Sequence, residues 1–375
     1  MADPARRPIG DHHAHPTTLE ERMSSRTRVK AVTRGAAALL AVTLFATACG
    51  GGGGSDDGPS DPIAGRPTPT DQAADGEVRI AMIGFANNPY WVNVKAGADY
   101  ANRVLSDKDG SVTWIVAGEN IDVQTVSSAI RAADAQGYDG VGFFIAGEGN
   151  CADIQTLSGK GKKVGAYNTL FDCVEGSGGT VNYAQEQYKA GQLAAEEMIK
   201  ASNGQTGKVG IIVSQFTAPG SEQRRQGFVD GLAGSNLTPV SQGVEARDSA
   251  SNTFTAAQNY LQSNADLLGI YATAGGPFGA AQAVAAAGKQ DTVKVIGYDI
   301  STENIAAIKD GSMYGVIGQD AFGQGYNVAI ELFNAAVTGQ NPSPVAQEAN
   351  APFVTAENLA EHDPSVLPLG AVGAS

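Results

Sequence analysis

Residues 78–91 read VRIAMIGFANNPYW. Val78, Ile80 and Met82 sit in a short, nearly continuous apolar run, which suits a strand covered on both faces better than one that alternates toward water. The run stops at Gly84 and Phe85, and Asn87-Asn88-Pro89-Tyr90-Trp91 follows where a helix should begin. Proline lacks an amide hydrogen that the first turn would leave unused, and its φ is already set. Pro89 therefore fits that turn, with Asn87 or Asn88 as the cap. Two aromatic rings and two amides thus stand at the carboxyl end of a buried strand, where open α/β sheets bind ligands. Taken alone, the stretch is equally well explained as an ordinary strand-to-helix corner whose Tyr90 and Trp91 complete the core.

The chain has 375 residues, 42% of them hydrophobic, enough for more than one core of ordinary size, so two domains are expected. Its 39 acidic residues against 25 basic ones give a formal net charge of −14, and no basic block follows the N-terminal region. This balance argues against a nucleic-acid surface and is compatible with an uncharged ligand.

The first part of the chain concerns delivery. Residues 1–22 carry neither a strand nor a helix pattern, and Met23 is a credible start, which would leave 1–22 outside the mature protein. Arg26, Arg28, Lys30 and Arg34 precede the apolar run 35–48, which ends in Thr47-Ala48-Cys49-Gly50. A basic region, a short apolar stretch and small residues before a cut describe an export signal over 23–48, too short for a comfortable membrane span. Cys49 resembles the lipobox cysteine of bacterial lipoproteins, with Ala46 where that motif usually has Leu. The resemblance implies acylation of Cys49 and a protein anchored through lipid at the extracytoplasmic face of the cell membrane. The alternative is a soluble secreted product cut nearby. Residues 49–76 are rich in Gly, Ser, Pro and Asp, bury too little side chain to fold, and read as a flexible linker.

From Val78 onward strands and helices alternate. Apolar runs at 112–117, 140–145, 163–167, 208–214, 240–244, 267–271, 293–298 and 314–317 read as strands. Helical spacing covers 123–135, 186–199, 222–232, 253–262, 278–287, 304–308 and 325–336. Strands separated by helices of this length imply parallel sheets in βαβ units, and this many units divide more naturally into two open sheets than one. Strand counting alone leaves an eightfold barrel open.

Cys151 and Cys173 lie just beyond consecutive strands, and the export signal places them in an oxidising compartment, so a disulfide between them is expected. Metal binding would need more ligands than this neighbourhood offers. No G-x-S-x-G elbow, phosphate-binding G-x-x-x-x-G-K-[ST] loop or H-E-x-x-H motif is present. Of the four histidines, His12, His13 and His15 precede the export signal and His362 lies in a Pro-rich tail, which weighs against histidine-based catalysis. The G-x-G-x-x-A run 147–152 imitates a dinucleotide loop, but Glu148 would face a pyrophosphate and no clear amphipathic helix follows. No cofactor and no catalytic residue is expected.

Polar residues recur at strand ends: Asn168 after 164–167, Asp299 after 295–298 and Gln319 after 316–318. A polyhydroxylated ligand needs a fan of donors and acceptors plus flat apolar faces against its C–H surfaces, and Asn, Asp, Tyr and Trp supply both. Each residue also has a structural explanation: Asp299 as the cap of a helix starting near Ser301, Asn168 as a turn former, Gln319 as a surface residue. The repetition over several strand ends favours a binding cleft.

With these residues in view, the stretch from Glu77 to about Val337 resembles the periplasmic sugar-binding proteins of ribose-binding type, which deliver substrates to ABC importers. The opening signature N-N-P-[FY]-[FW] is present as residues 87–91; Asp122-Val123-Gln124 with residues 137–140 matches the second unit in outline; Gly297-Tyr298-Asp299 matches the G-[FY]-D strand end, and Gln319 the late Gln near the hinge. The resemblance implies an α/β protein of two Rossmann-like lobes with parallel sheets, joined by a multi-strand hinge with the ligand cleft between them. The first lobe would comprise 77–182 plus 322–343, the second 186–318 plus 344–375. Asn88 would bond sugar hydroxyls, Tyr90 and Trp91 would stack on the ring, and Asn168, Thr273, Asp299, Gln319 and Arg224 would complete the site. Asn168-Thr169 replaces an Asp-Arg pair, and Glu222 stands near the position of a second arginine, with Arg224 or Arg225 within a turn of it. Loss of forked guanidinium donors argues against ribose and for another neutral monosaccharide or linear polyol. The expected partners are that ligand, an ABC importer permease and the membrane, with no nucleic acid and a monomeric state. A sensor ectodomain serving a membrane receptor is the alternative within the binding class, and an extracellular carbohydrate enzyme the alternative outside it. A repressor core of the same fold would need a helix-turn-helix where the export signal stands.

Overall fold

The computed structural model describes residues 61–363 except Asn87 and Ala274. Segment 1–22, the export signal 23–48, Cys49, the linker as far as residue 60 and residues 364–375 lie outside the described residues. The first lobe is built from β1 (Val78–Gly84), α1 (Pro89–Ser106), β2 (Gly110–Val116), α2 (Val123–Ala135), β3 (Gly140–Phe144), α3 (Cys151–Gly159), β4 (Lys163–Thr169), α4 (Cys173–Gly176) and β5 (Val181–Gln185). The second lobe follows with α5 (Gln187–Ala201), β6 (Gly207–Val213), α6 (Pro219–Gly231), β7 (Leu237–Pro239), β8 (Val244–Glu245) and α7 (Ala250–Ser263). It continues through β9 (Leu267–Ala272), α8 (Phe278–Ala286), β10 (Lys294–Tyr298), α9 (Thr302–Lys309) and β11 (Gly315–Ile317). The chain then returns to the first lobe with α10 (Ala321–Thr338) and β12 (Ala346–Glu348), and closes the second with β13 (Phe353–Thr355).

The first sheet has the order β12-β5-β4-β3-β1-β2 with every neighbour parallel. The second runs β13-β11-β10-β9-β6-β7, with β8 beside β6 and only β13 antiparallel. Two open sheets, not a barrel, are the outcome. β1 lies between β2 and β3, and β6 between β7 and β9, so each sheet reverses its winding at its first strand. Such switch points leave a crevice at the carboxyl ends of the strands. The apolar run of β1 is explained by its place: Ile80, Ala81, Met82 and Ile83 are at most 1% exposed.

Helix α10 packs along α1 because glycines allow backbone contact. A Cβ at Gly97 would meet the carbonyl oxygen of Phe322, and one at Gly325 that of Val94. The second lobe repeats the device between α5 and α6 at Gly191 and Gly227. Three crossings join the lobes, at residues 185–187, 317–321 and 349–352. They are laced together by Gln185 Nε2 donating to the Gly318 carbonyl (2.8 Å), Gly318 N–H to Pro352 O (2.8 Å) and Ala349 N–H to Ala184 O (2.8 Å).

Several expectations need correction. The tail from 344, expected wholly in the second lobe, divides: β12 pairs with β5 in the first sheet, whereas β13, Leu359 and Asp363 lie on the second. Part of the linker 49–76 is folded: Ile63 packs on the first core, Tyr100 Oη donates to Asp61 O (3.0 Å), and Asn334 holds Thr68 O and Thr70 N–H (3.0 and 2.7 Å). Its composition cannot build a core, but α1 and α10 supply the surface on which it lies. Helix α3 does follow the 147–152 run, buried through Ile154 and Leu157 alone, too few for a legible stripe. The strand expected at 240–244 is instead two short ones, β7 and β8.

Gly97→Ala should lower the unfolding free energy by about 3 kcal/mol, as overpacking against backbone does. Gly159→Ala, at a helix end with open space around its Cβ, should raise it by up to about 1 kcal/mol. Urea titration of both variants reads the two opposite signs.

Candidate ligand-binding cleft

A cavity of about 320 Å³ lies between the lobes at the carboxyl ends of both sheets, within the size range of small-molecule sites. The first lobe contributes a largely aromatic wall. Asn88 caps α1, its Oδ1 accepting from Tyr90 N–H at 3.0 Å, and Pro89 occupies the first turn. Tyr90 and Trp91 follow, 5% and 3% exposed. The Trp91 ring is held edge-on by Tyr90 (4.8 Å between centroids) and Phe144 (5.4 Å), with Phe85 at 5.1 Å. Trp91 belongs to the core, as the structural explanation of the corner expects, and it also lines the cavity.

Strand ends aim the polar groups. Asn168 has φ 83° and Asp299 φ 77°, left-handed conformations that Asn and Asp tolerate better than other non-glycine residues. Asn168 Nδ2 donates to Tyr90 Oη (3.0 Å) and Gln319 Oε1 (3.3 Å). Tyr90 Oη in turn donates to Gln324 Oε1, and burial raises the Tyr90 hydroxyl well above its ordinary pKa, keeping it a neutral donor. Gln319 Nε2 donates to Asp299 Oδ1. Asp299 is not the cap of α9: that role belongs to Ser301, whose side chain accepts from Asn304 N–H at 3.3 Å.

Arg224, only 6% exposed, brings a guanidinium to the cleft. It donates to Gln187 Oε1, to Thr273 O (2.9 Å), to Gln185 Oε1 (3.2 Å) and to Gln319 Oε1 (3.0 Å), and it lies 3.8 Å from the Tyr298 ring centroid. This corrects the inference that forked donors are lost: α6 turns Arg224 inward, whereas Arg225 pairs with Glu222 (2.5 Å). Thr273 does not line the cavity. It is fully buried behind the wall, its Oγ1 2.6 Å from Ser221 Oγ. Asn88, Tyr90, Trp91, Asn168, Asp299, Gln319 and Arg224 all line it.

Sequence reasoning missed Asp248, which precedes α7 in a loop without strand or helix pattern. Its Oδ1 accepts from Gly275 N–H at 3.0 Å, and it lines the cavity. Gln185 and Gln187 were also missed; their signal was a pair of glutamines flanking a chain crossing. Burial raises the carboxyls of Asp248 and Asp299 above the ordinary 3.8, an effect that Arg224 opposes in both and that Asp248 reinforces in Asp299. Among the described residues no group of three or more His, Cys, Asp or Glu side chains could hold a metal ion.

Two α/β lobes joined by three crossings, with a shared cavity at the switch points of both sheets, define a two-lobed binding protein. Residues 80–341 match the family described as periplasmic binding protein domain, and the chain belongs to that family of binding proteins. The D-allose-binding periplasmic protein of Escherichia coli (strain K12) is 25% identical over 243 residues, 62% of this chain and 76% of that protein. A solved ABC transporter solute-binding protein from Burkholderia graminis, in complex with D-arabinose, superposes with TM-score 0.69 at 22% identity, over 78% of this chain and 99% of that one. Another from Agrobacterium vitis, with bound D-fucose, does so with TM-score 0.69 at 20% identity, over 77% and 99%. These likenesses show the fold.

A carboxyl whose folded pKa exceeds its unfolded one penalises the fold while charged, so stability is gained as pH falls through the folded value toward 3.8. Asp248→Asn keeps an acceptor for Gly275 and tolerates φ 55°. The variant should melt higher than the parent at about pH 7, with a gain that shrinks toward about pH 4. Calorimetry across that range checks it.

Proposed function

We propose that this protein is an extracytoplasmic solute-binding protein that captures a neutral monosaccharide or polyol and delivers it unchanged to an ABC-type importer. The observation that carries the reading is the cavity itself: aromatic rings and amides on the first lobe, carboxylate and guanidinium groups on the second, and Gln319 at the hinge. Tyr90, Trp91 and Phe144 offer apolar faces for C–H surfaces. Asn88 Nδ2 and the second carboxylate oxygen of Asp299 offer a donor and an acceptor for hydroxyls. The names of the D-allose, D-arabinose and D-fucose binders agree with a sugar. A ligand touching both lobes favours their closed arrangement, and no step of covalent chemistry is required. The protein acts as a monomer, anchored through acylated Cys49, with Cys151 and Cys173 joined. Their Cα atoms are 6.0 Å apart, within disulfide reach.

Thermal-shift screening against pentoses, hexoses and polyols should yield a ligand that raises the melting temperature, since a ligand at a hundred times its Kd adds about 2.7 kcal/mol. For that ligand, Asp299→Ala should weaken binding at least tenfold, about 1.4 kcal/mol. Ser301→Ala should instead cost about 1 kcal/mol of folding stability and leave affinity alone. Calorimetric titration of the two variants separates the roles, and unchanged affinity in Asp299→Ala removes it from the site.

Intact-mass measurement of the protein from membranes should show an acylated N-terminus at Cys49, and reduction should add the mass of one hydrogen pair. Cys49→Ser should move the product to the soluble fraction. A parent already soluble with a free N-terminus beyond Cys49 would refute the anchor.

A further inference from the structure

The stretch 61–70 does more than cover apolar surface, because it brings a charge to the hinge. Asp320 stands on the second crossing between the lobes, with φ 45° and ψ 53°, and caps α10 by accepting from Gly323 N–H at 3.0 Å. Its side chain is 0% exposed. A carboxylate so placed is favoured by the helix end, but it is costly without a cation. Arg66 provides one through a fork: Nη1 donates to Oδ2 at 2.9 Å and Nη2 to Oδ1 at 2.8 Å. Such two-bond pairing fixes orientation as well as distance. Tyr183 Oη, on β5 just before the first crossing, donates to the same Oδ2 at 2.6 Å. Arg66 also donates to Asn327 Oδ1 on α10 at 3.3 Å and lies 5.3 Å from the Phe322 ring centroid. One buried ion pair thus joins the N-terminal stretch to two of the three crossings.

The adjacent residue is Gln319, whose side chain meets Arg224, Asn168 and Asp299 in the cleft. A residue that holds Asp320 in its left-handed conformation also sets where Gln319 leaves the backbone. We propose that stretch 61–70 is a working part of the hinge, with Arg66 a positioning residue that acts through Asp320 on Gln319 and on the alignment of the crossings. The stretch is then a strap across the hinge side of the binding unit. This goes beyond the assignment of a ligand and stands whether or not that ligand is a sugar.

The test is backbone amide hydrogen exchange on the full chain without ligand, comparing the parent with Arg66→Ala, Arg66→Lys and Asp320→Asn. Asparagine preserves both the cap and the left-handed backbone while removing the charge. In Arg66→Ala and Asp320→Asn, exchange should quicken by about tenfold or more over residues 182–187, 316–320 and 347–352, with β1 and β6 at parent rates. Arg66→Lys, which keeps the charge without the fork, should fall between. If Arg66→Ala yields no folded protein, the lysine and asparagine variants decide. Unchanged exchange at the crossings overturns the proposal. So does acceleration spread evenly over β1 and β6, which would make Arg66 a general stabiliser only.

Discussion

Arg224 places a full charge in the seam between two lobes, where water is scarce, and its hydrogen-bond partners are all neutral. They are Gln187, the Thr273 carbonyl, Gln185 and Gln319, with the Tyr298 ring against the guanidinium face. Much of the surrounding arrangement follows from satisfying that charge. Glutamines flank the first crossing because their amide oxygens reach a cation without adding a negative charge beside it. Tyr298 belongs to a buried row in which Phe228 stacks on Tyr271 at 4.1 Å and the Tyr271 and Tyr298 hydroxyls meet at 2.9 Å. Burial pushes the Tyr298 hydroxyl up to about 12, so it stays neutral beside the guanidinium. Asp299 and Asp248 contribute opposite charge at longer range.

The two lobes solve one problem twice. In each, a sheet reverses its winding at its first strand, a glycine-lined helix pair seals one face, and a left-handed Asn or Asp at a strand end turns a side chain into the crevice. Gln187 Nε2, from the second lobe, donates to Asn168 O in the first, so the lobes meet beside the cavity as well as at the crossings. On the proposed reading, closure and occupancy are one equilibrium, because groups that would meet a ligand also bond to one another across the seam.

The fold was legible wherever burial is symmetric. Strands such as β1 and β6, covered on both faces, announce themselves as apolar runs, and the alternation with helices fixes parallel sheets. What escaped is where an element buries polar or scant side chain. β5 carries buried Asn182 and Gln185 and lacks a run; α3 buries Ile154 and Leu157 alone; the strap 61–70 uses surface made by distant helices. The same holds for the site. Asn88, Trp91, Asn168, Asp299 and Gln319 follow recognisable strands and could be placed in the cleft region from sequence. Asp248 sits in an irregular loop, and although Arg224 is expected in the site by resemblance, that it rather than Arg225 turns inward depends on the face that α6 presents to α5, which is a tertiary fact.

The cleft also gathers several local costs. Asn168, Asp299 and Asp248 adopt backbone conformations that few side chains favour, and two carboxyls are held where their charge is disfavoured. None of this is needed to close a sheet or pack a helix. Tight helix pairs at Gly97 with Gly325 and at Gly191 with Gly227, together with fully buried strands, make the rest of each lobe able to bear it. One Asp299 oxygen takes Gln319, while Asp248 is held by both Gly275 N–H and Ser214. On the proposed reading, a hydroxyl donor of a bound ligand meets the remaining Asp299 oxygen, and part of the cost of burying that charge returns as affinity.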